Sequence, residues 1–227
     1  MAGACLRYAV MEVLGFGRLI TPEAQAVMAE GSARHRRFQT WLLTEADVIA
    51  VEAPLVSESW QVSGRVDAVV RLNGEPVAIE YKTAGPERFQ AMLASGRPLA
   101  EHWAQLMCYL ATGAYRRGCL VVEERDSGRR LQWAAYPDPA WTAWLGQRLE
   151  AVRRYQAAHR LPSREVSRGC LTCDRWQRCF RSEAERAAAV EAHPDWEPDP
   201  PLPALPSQPS PPAWVHSART QEEGGPA

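Results

Sequence analysis

Asp67, Glu80 and Lys82 have the residue types and the spacing for hydrolysis assisted by a divalent cation. Lys82 is the one lysine among 26 basic residues. Heavy use of arginine says little by itself, but the exception is informative. Arginine stays protonated in any protein setting, whereas lysine is a compact ammonium that can shift its pKa and orient a water molecule. Glu80 precedes Lys82 by two residues, and Asp67 precedes Glu80 by thirteen. Two carboxylates hold a hard cation through oxygen ligands and leave part of its coordination sphere to waters and a phosphate. Such a cation lowers the pKa of an attacking water and neutralises charge on phosphate oxygens, with Lys82 next to that water. The bland reading of a D-x12-E-x-K match is a hairpin whose solvated face carries Asp, Glu and Lys. The lone lysine and the motifs below weigh against it.

The elements that must position these residues are two strands and two helices. Val66 to Leu72 is apolar and β-branched, Asn73-Gly74 is a two-residue hairpin signal, and Pro76 to Tyr81 resumes the extended pattern. Residues two apart on a strand share a face, so Glu80 and Lys82 project together and the hairpin brings Asp67 beside them. Upstream, Thr21-Pro22-Glu23 starts a helix running to about residue 46, with Thr as N-cap and Pro at the first helical position. Gly31 inside that helix costs up to about 1 kcal/mol relative to Ala, so the reading assigns it a packing reason or a close approach. His35, four residues on, can then reach the site as a neutral imidazole ligand; without the other motifs it reads as a surface residue among arginines. A second helix, from about residue 98 to 112, puts Gln105 and Tyr109 on one face. The two can contact a phosphate or a base there, or form a satisfied pair at the core edge.

The cysteines give a further signal. Cys170, Cys173 and Cys179 form a C-x2-C-x5-C cluster, with Cys5 at the opposite end of the chain. Four thiolates suffice for a zinc site or a [4Fe-4S] cluster. Structural zinc sites commonly use two paired knuckles, so three clustered ligands with a distant fourth lean toward iron and sulfur. A disulfide framework is discounted because no export signal precedes these residues and cytosolic thiols stay reduced. Cys108 and Cys119 read as small buried apolar residues.

Taken in order, Gly31 to His35, Gly64 to Asp67, Glu80-Tyr81-Lys82, Gln105 to Tyr109 and the split cysteine set resemble the RecB-like branch of the PD-(D/E)xK nucleases. Within it they are most similar to the Cas four exonucleases of CRISPR adaptation. The match runs from Cys5 to about Phe180. The resemblance implies that His35, Asp67, Glu80 and the backbone carbonyl of Tyr81 ligate Mg²⁺ or Mn²⁺, with Lys82 positioning the water. It implies that Gln105 and Tyr109 help to shape the DNA-binding site. It also implies that Cys5, Cys170, Cys173 and Cys179 hold a [4Fe-4S] cluster tying the ends of the domain together. Leu6 stands where the family commonly has Pro, and Val66 replaces the Pro that often precedes the metal-binding Asp.

Composition fits one domain. The chain has 227 residues, 46% of them apolar, enough for a substantial core, and no apolar run approaches the roughly 20 residues of a membrane span. The expectation is a soluble, cytoplasmic protein with no membrane partner. Ten of the 18 prolines fall in residues 194–226, so residues 1–193 read as the nuclease domain and 194–227 as a Pro-rich, disordered, acidic tail. The net charge is −1, with −4 carried by residues 193–227 and +3 by residues 1–192. DNA binding must then rely on local groups such as Arg34, Arg36 and Arg37, or Arg116 and Arg117. Residues 118–125 and 130–135 read as strands, 139–158 as a Trp-anchored helix and 182–192 as a last helix. Trp41, Trp103, Trp141 and Trp144 read as packing anchors. The expected fold class is α/β, a restriction-endonuclease-like core with a mixed central sheet flanked by helices and a C-terminal iron-sulfur region.

The function expected is metal-dependent exonucleolytic hydrolysis of DNA ends or single strands. Its implied setting is the processing of precursor spacers beside the CRISPR adaptation integrase complex. A RecB-like nuclease of DNA repair or another defence system shares every motif. A non-catalytic DNA-binding accessory subunit is a further alternative, against which the intact Asp67, Glu80 and Lys82 argue. A zinc-stabilised scaffold is another.

Overall fold

Asn73 and Gly74 both take left-handed backbone, with φ of 51° and 83°, the conformation a tight two-residue hairpin demands. They join strands β2 (Val62–Leu72) and β3 (Glu75–Ala84), starting the register at Leu72 opposite Glu75. The computed structural model describes residues 5–193 and 197–205. Around this hairpin it builds one five-stranded sheet in the order β1-β2-β3-β4-β5, with β1 at Val48–Ser57, β4 at Gly118–Glu124 and β5 at Arg130–Ala135. The pairing of β3 with β4 is parallel and the rest antiparallel. A parallel step needs a crossover, supplied by two helices in succession, α3 (Pro86–Ser95) and α4 (Ala100–Ala111). Helix α1 covers Leu6–Val13, α2 Pro22–Glu45, α5 Pro139–Ala157 and α6 Glu183–Ala192.

The sheet is buried on both faces, because alternate residues of its central strands are apolar on both sides. One face packs Ala78, Leu120, Val122 and Trp133 under α3, α4 and α5, with Phe89, Leu106, Trp141 and Leu145 in the same core. The other packs Ile79, Tyr81, Val70 and Val121 under Phe38 and Leu42 of α2. Trp103, Trp141 and Trp144 are buried, as packing anchors should be. Thr21 caps α2 by accepting from Ala24 N–H, and Asp138 caps α5 through Ala140 and Trp141 N–H. Strand β1 and helices α1 and α3 have no counterpart in the elements read from sequence.

Two expectations change. Gly31 permits no tight approach: a methyl group there meets only Thr83 Oγ1, at 3.9 Å. The folded part also runs past residue 193. Glu197 to Leu205, assigned from composition to the tail, packs on the turn between α3 and α4, where Leu205 N–H donates to Gly96 C=O at 2.6 Å. Trp141 Nε1 donates to Pro201 C=O at 3.3 Å, and Leu202 and Leu205 pack against the core. Prolines lack donors but keep their carbonyls, so a Pro-rich strand of chain can dock by accepting. The rest of the tail expectation lies outside the described residues.

Candidate active site and cysteine-lined cavity

The site begins where the β2–β3 ladder ends. Strand pairing reaches Ala68 opposite Ile79 and stops, and the next N–H on that edge, Tyr81's, donates to the carboxylate Oδ2 of Asp67 at 2.8 Å. Asp67 thus substitutes its side chain for a ladder carbonyl, and the strands open at that point. A strand residue sends its N–H and C=O to the same edge, so the Tyr81 carbonyl faces the same opening.

Alternation then sorts the neighbours. Tyr81 is fully buried under α2, stacked on Phe38 with ring centroids 4.2 Å apart, and His35 sets its ring edge-on to it at 4.9 Å. This holds His35 Nδ1 3.6 Å from Asp67 Oδ1. Glu80 and Lys82 project to the opposite face, as their spacing requires. The Lys82 ammonium lies against Glu80 Oε1, and Glu80 is wholly buried. Beyond them, Gln105 Nε2 donates to the Tyr109 hydroxyl at 2.7 Å, and that hydroxyl donates to Arg65 C=O at 2.9 Å. Helix α4 is thereby tied to β2 beside Asp67.

Electrostatics at the site are those of dehydrated carboxylates. Burial raises the Glu80 pKa to about 7, with Lys82 pulling it down and Asp67 pushing it up. Burial also raises Asp67, partly offset by Lys82 and His35, and lowers His35. The Tyr109 phenol is pushed far up by burial and by Glu80, so it stays protonated. Among the described residues no three His, Cys, Asp or Glu side chains close into a ready-made metal nest. The carboxylates are turned to their own partners instead. The donor set nonetheless fits a hard cation: Glu80 has two buried oxygens without a well-formed hydrogen bond, and two carboxylates with an imidazole are oxygen-rich ligands.

Arg34, expected as a DNA-contacting group, is committed elsewhere. Its guanidinium reaches Glu30, Glu123 and the Arg125 carbonyl, and Glu123 is also held by Arg130 at 2.8 Å. This ion cluster, buried only at Glu123, ties α2 to the sheet one residue from His35. The signal for it was in the sequence, since Glu30 and Arg34 have the i,i+4 spacing of a helical ion pair.

A second assembly lies at the meeting of the chain's two ends. Leu6 N–H donates to Glu165 Oε2 at 2.5 Å, and Arg7 donates to Pro162 C=O at 2.5 Å and to Arg178 C=O at 3.3 Å. Cys5, Cys170, Cys173 and Cys179 all line one cavity of about 830 Å³. Every cysteine among the described residues is free of disulfides. Burial raises Cys5, Cys179 and Cys173, the last to about 11. Neighbouring thiols add to this for two of them: Cys170 and Cys179 act on Cys173, and Cys5 acts on Cys179. Among the described residues these thiols do not close into a metal nest; what they share is this hollow.

The family model described as "PD-(D/E)XK nuclease superfamily" matches residues 6–180. Of curated proteins, a tetraacyldisaccharide 4'-kinase of Delftia acidovorans is 30% identical over 131 residues, 50% of this chain and 38% of that protein. The chain therefore spans well under half of that relative. It also has no G-x4-G-K-[ST] phosphate loop, its one lysine following Tyr81. Of solved structures, SSO0001 superposes with a TM-score of 0.57 at 20% identity, covering 78% of this chain and 83% of that one. The LHK-Exo complex with dAMP gives 0.48 at 16% identity, covering 67% and 87%; an LHK-Exo structure described as an alkaline exonuclease from Laribacter hongkongensis gives 0.42 at 15% with the same coverage. Those two are too distant to carry weight. The strand opening at Asp67, the Glu80–Lys82 pair on the next strand and a family match over most of the folded residues agree: this chain belongs to the PD-(D/E)XK nuclease superfamily.

Proposed function

We propose that this protein is a metal-dependent deoxyribonuclease acting on DNA ends or single strands, with an iron-sulfur cluster that braces its fold. The observation that carries the reading is the opening of the β2–β3 ladder, where Asp67 replaces a backbone acceptor for the Tyr81 N–H and Glu80 and Lys82 stand alongside. His35, Asp67, Glu80 and the Tyr81 carbonyl would hold Mg²⁺ or Mn²⁺. When bound, the cation supplies a water of lowered pKa and neutralises charge on the phosphate.

The chain's own residues do the rest. Asp67 and Glu80 fix the position of the reacting centre, and their burial keeps the local dielectric low so that charge interactions count. Lys82 orients the attacking water and holds its proton balance by hydrogen bonding, with Glu80 keeping the ammonium in place. Tyr109, protonated throughout, donates to the Arg65 carbonyl and keeps β2 beside Glu80. Gln105 steadies the phenol and offers an amide to the DNA. His35 is aimed by its edge contact with Tyr81.

Cys5, Cys170, Cys173 and Cys179 would ligate a [4Fe-4S] cluster, which supplies a covalent tie between the two ends of the domain. Burial raises Cys179, and Arg7 and Arg164 offset only part of that; ligation would need the thiolate. The split thiol set favours the Cas four likeness within the superfamily. The finer reading is therefore trimming of precursor spacers in the cytoplasm, beside the integrase complex of CRISPR adaptation.

The test is degradation of end-labelled single-stranded DNA with Mn²⁺ by anaerobically purified protein, beside Lys82→Ala and a chelator control. Products lost in both controls support the reading. A folded, brown wild type that cuts nothing overturns it.

A further inference from the structure

Helix α3 stops at Gly96, whose left-handed backbone, with φ of 68°, turns its carbonyl out of the helix. That carbonyl accepts from Trp133 Nε1 at 3.1 Å and from Leu205 N–H at 2.6 Å. Residues 197–205, held there at one end, are also tied by Trp141 Nε1 to Pro201 C=O at 3.3 Å and by Glu197 to Arg97 at 3.8 Å. Pro198 and Pro200 are buried while Glu197 and Asp199 are exposed, the two-residue alternation of an extended chain. Proline fixes φ in advance, so seating such a segment costs less backbone entropy than seating an ordinary one.

This segment is part of the wall of the cysteine-lined cavity. Glu197 and Leu202 line the same hollow of about 830 Å³ as Cys5, Cys170, Cys173 and Cys179, a volume that admits small molecules. On the side of the cysteines the wall is firmly built: the Arg175 guanidinium, buried between Cys173 and Cys179 in the chain, donates twice to Phe16 C=O, at 3.1 and 3.0 Å. Residues 197–205 have no helix or strand ladder to hold them. Their ion pair with Arg97 is more than half exposed on both sides and adds little, and Leu202 and Leu205 are only partly buried against the core. A segment with so few buried apolar contacts detaches locally at low free energy while the rest of the domain stays folded.

We propose that residues 197–205 are a latch on this cavity. Seated, they hinder solutes from reaching the four cysteine sulfurs; released from Gly96 and Trp141, they open the way. The solutes concerned are those that react with sulfur, namely oxidants, alkylating agents and thiophilic metal ions. The latch goes beyond the nuclease reading and does not depend on it, since it shields these sulfurs whether they are free or bound to metal.

The experiment treats the full chain, purified anaerobically, with iodoacetamide, which alkylates a thiolate sulfur with loss of iodide. Mass spectrometry follows each cysteine peptide in wild type, Leu205→Pro and Leu202→Asn. Leu205→Pro removes the N–H that Gly96 accepts; losing one hydrogen bond raises the open population, and with it the rate at Cys5, Cys170, Cys173 and Cys179, about fivefold. Leu202→Asn gives up a half-buried leucine and raises the same four rates about tenfold. Cys108 and Cys119, packed against the two cores outside this cavity, should keep their wild-type rates in both variants. Wild-type rates at the four cavity cysteines in both variants overturn the inference. So does a rise shared by Cys108 and Cys119, which would mean that residues 197–205 only stabilise the domain as a whole. A selective rise in a chain that cuts no DNA supports the latch and sinks the nuclease reading alone.

Discussion

Replacing Glu80 by Gln should make the metal-free protein more stable at pH 8 while removing its cleavage activity. Glu80 is wholly buried, and burial lifts its pKa from an ordinary 4.5 to about 7 even with Lys82 beside it. A carboxyl raised in the folded state contributes stability that is fully present below the unfolded value and is lost as pH rises through the folded one. The window therefore runs from 4.5 to about 7. Across it, at 1.36 kcal/mol per pH unit, ionised Glu80 costs the folded protein about 3 kcal/mol by pH 8. Gln keeps the shape without the charge, and Lys82, partly exposed, returns to water. Urea unfolding in chelator should show Glu80→Gln more stable than wild type by up to about 3 kcal/mol at pH 8 and by less than about 1 kcal/mol at pH 5. Mn²⁺ should then reverse the order, because a ligand that binds only the folded wild type stabilises it by mass action, about 2.7 kcal/mol at a hundredfold excess over Kd. A Glu80→Gln protein no more stable than wild type at pH 8 would refute the claim that this carboxylate is held at a cost for a cation.

Other perturbations separate the parts of the site. Tyr109→Phe should leave Gln105 Nε2 and the Arg65 carbonyl unpaired, lowering stability by about 1–2 kcal/mol and reducing kcat, as read by urea unfolding and single-turnover cleavage. Gly31→Ala meets only Thr83 Oγ1 at 3.9 Å, so it should raise the melting temperature by the helix propensity of Ala, up to about 1 kcal/mol; a loss would show that the site needs this glycine for approach. Ending the chain at His193 removes the Leu205–Gly96 and Trp141–Pro201 hydrogen bonds with two leucines packed on the core. A loss of about 2–4 kcal/mol is expected relative to a chain ending at Leu205. Cys173→Ser should abolish the brown colour of anaerobic protein and lower its melting temperature, whereas Cys108→Ser should keep the colour.

The strands that were legible are those whose sequence carries both pattern and punctuation. Asn73-Gly74 announced its hairpin because two left-handed residues in a row leave few other choices, and β4 carries the apolar run Cys119 to Val122 before its two glutamates because the sheet is covered on both faces. Strand β1 was missed because it has neither signal: Ala53 and Leu55 turn inward while Val51 and Val56 stay exposed at the sheet edge, so the alternation is blurred. Helix α3 was missed because Gly85-Pro86 reads as a loop, although Pro at the first helical position is a start signal. Composition misread residues 197–205 of the expected tail. Proline content predicts what a segment cannot build, but Pro201 docks on the acceptor it retains, and Gly96 accepts from Leu205, which is not a proline at all.

At the site the sequence supplied the residues and their faces, but not their commitments. Asp67, Glu80 and Lys82 follow from strand period, yet the reason they cut off the ladder is the Tyr81 N–H, a backbone group invisible to any motif. The same blindness made Arg34 look like a DNA contact. A basic residue beside a candidate ligand reads as electrostatic attraction for phosphate, whereas here it spends its fork on Glu30, Glu123 and a carbonyl to press α2 onto the sheet. That press bears on the proposed metal site because His35 is the next residue, held edge-on by Tyr81. Partly exposed ion pairs add little net stability, so the value expected of this cluster is direction: Glu123→Gln should shift Mn²⁺ affinity more than it shifts the unfolding free energy. If titration calorimetry shows Mn²⁺ bound as tightly as in wild type while the fold is weakened, the cluster serves the helix and not the imidazole.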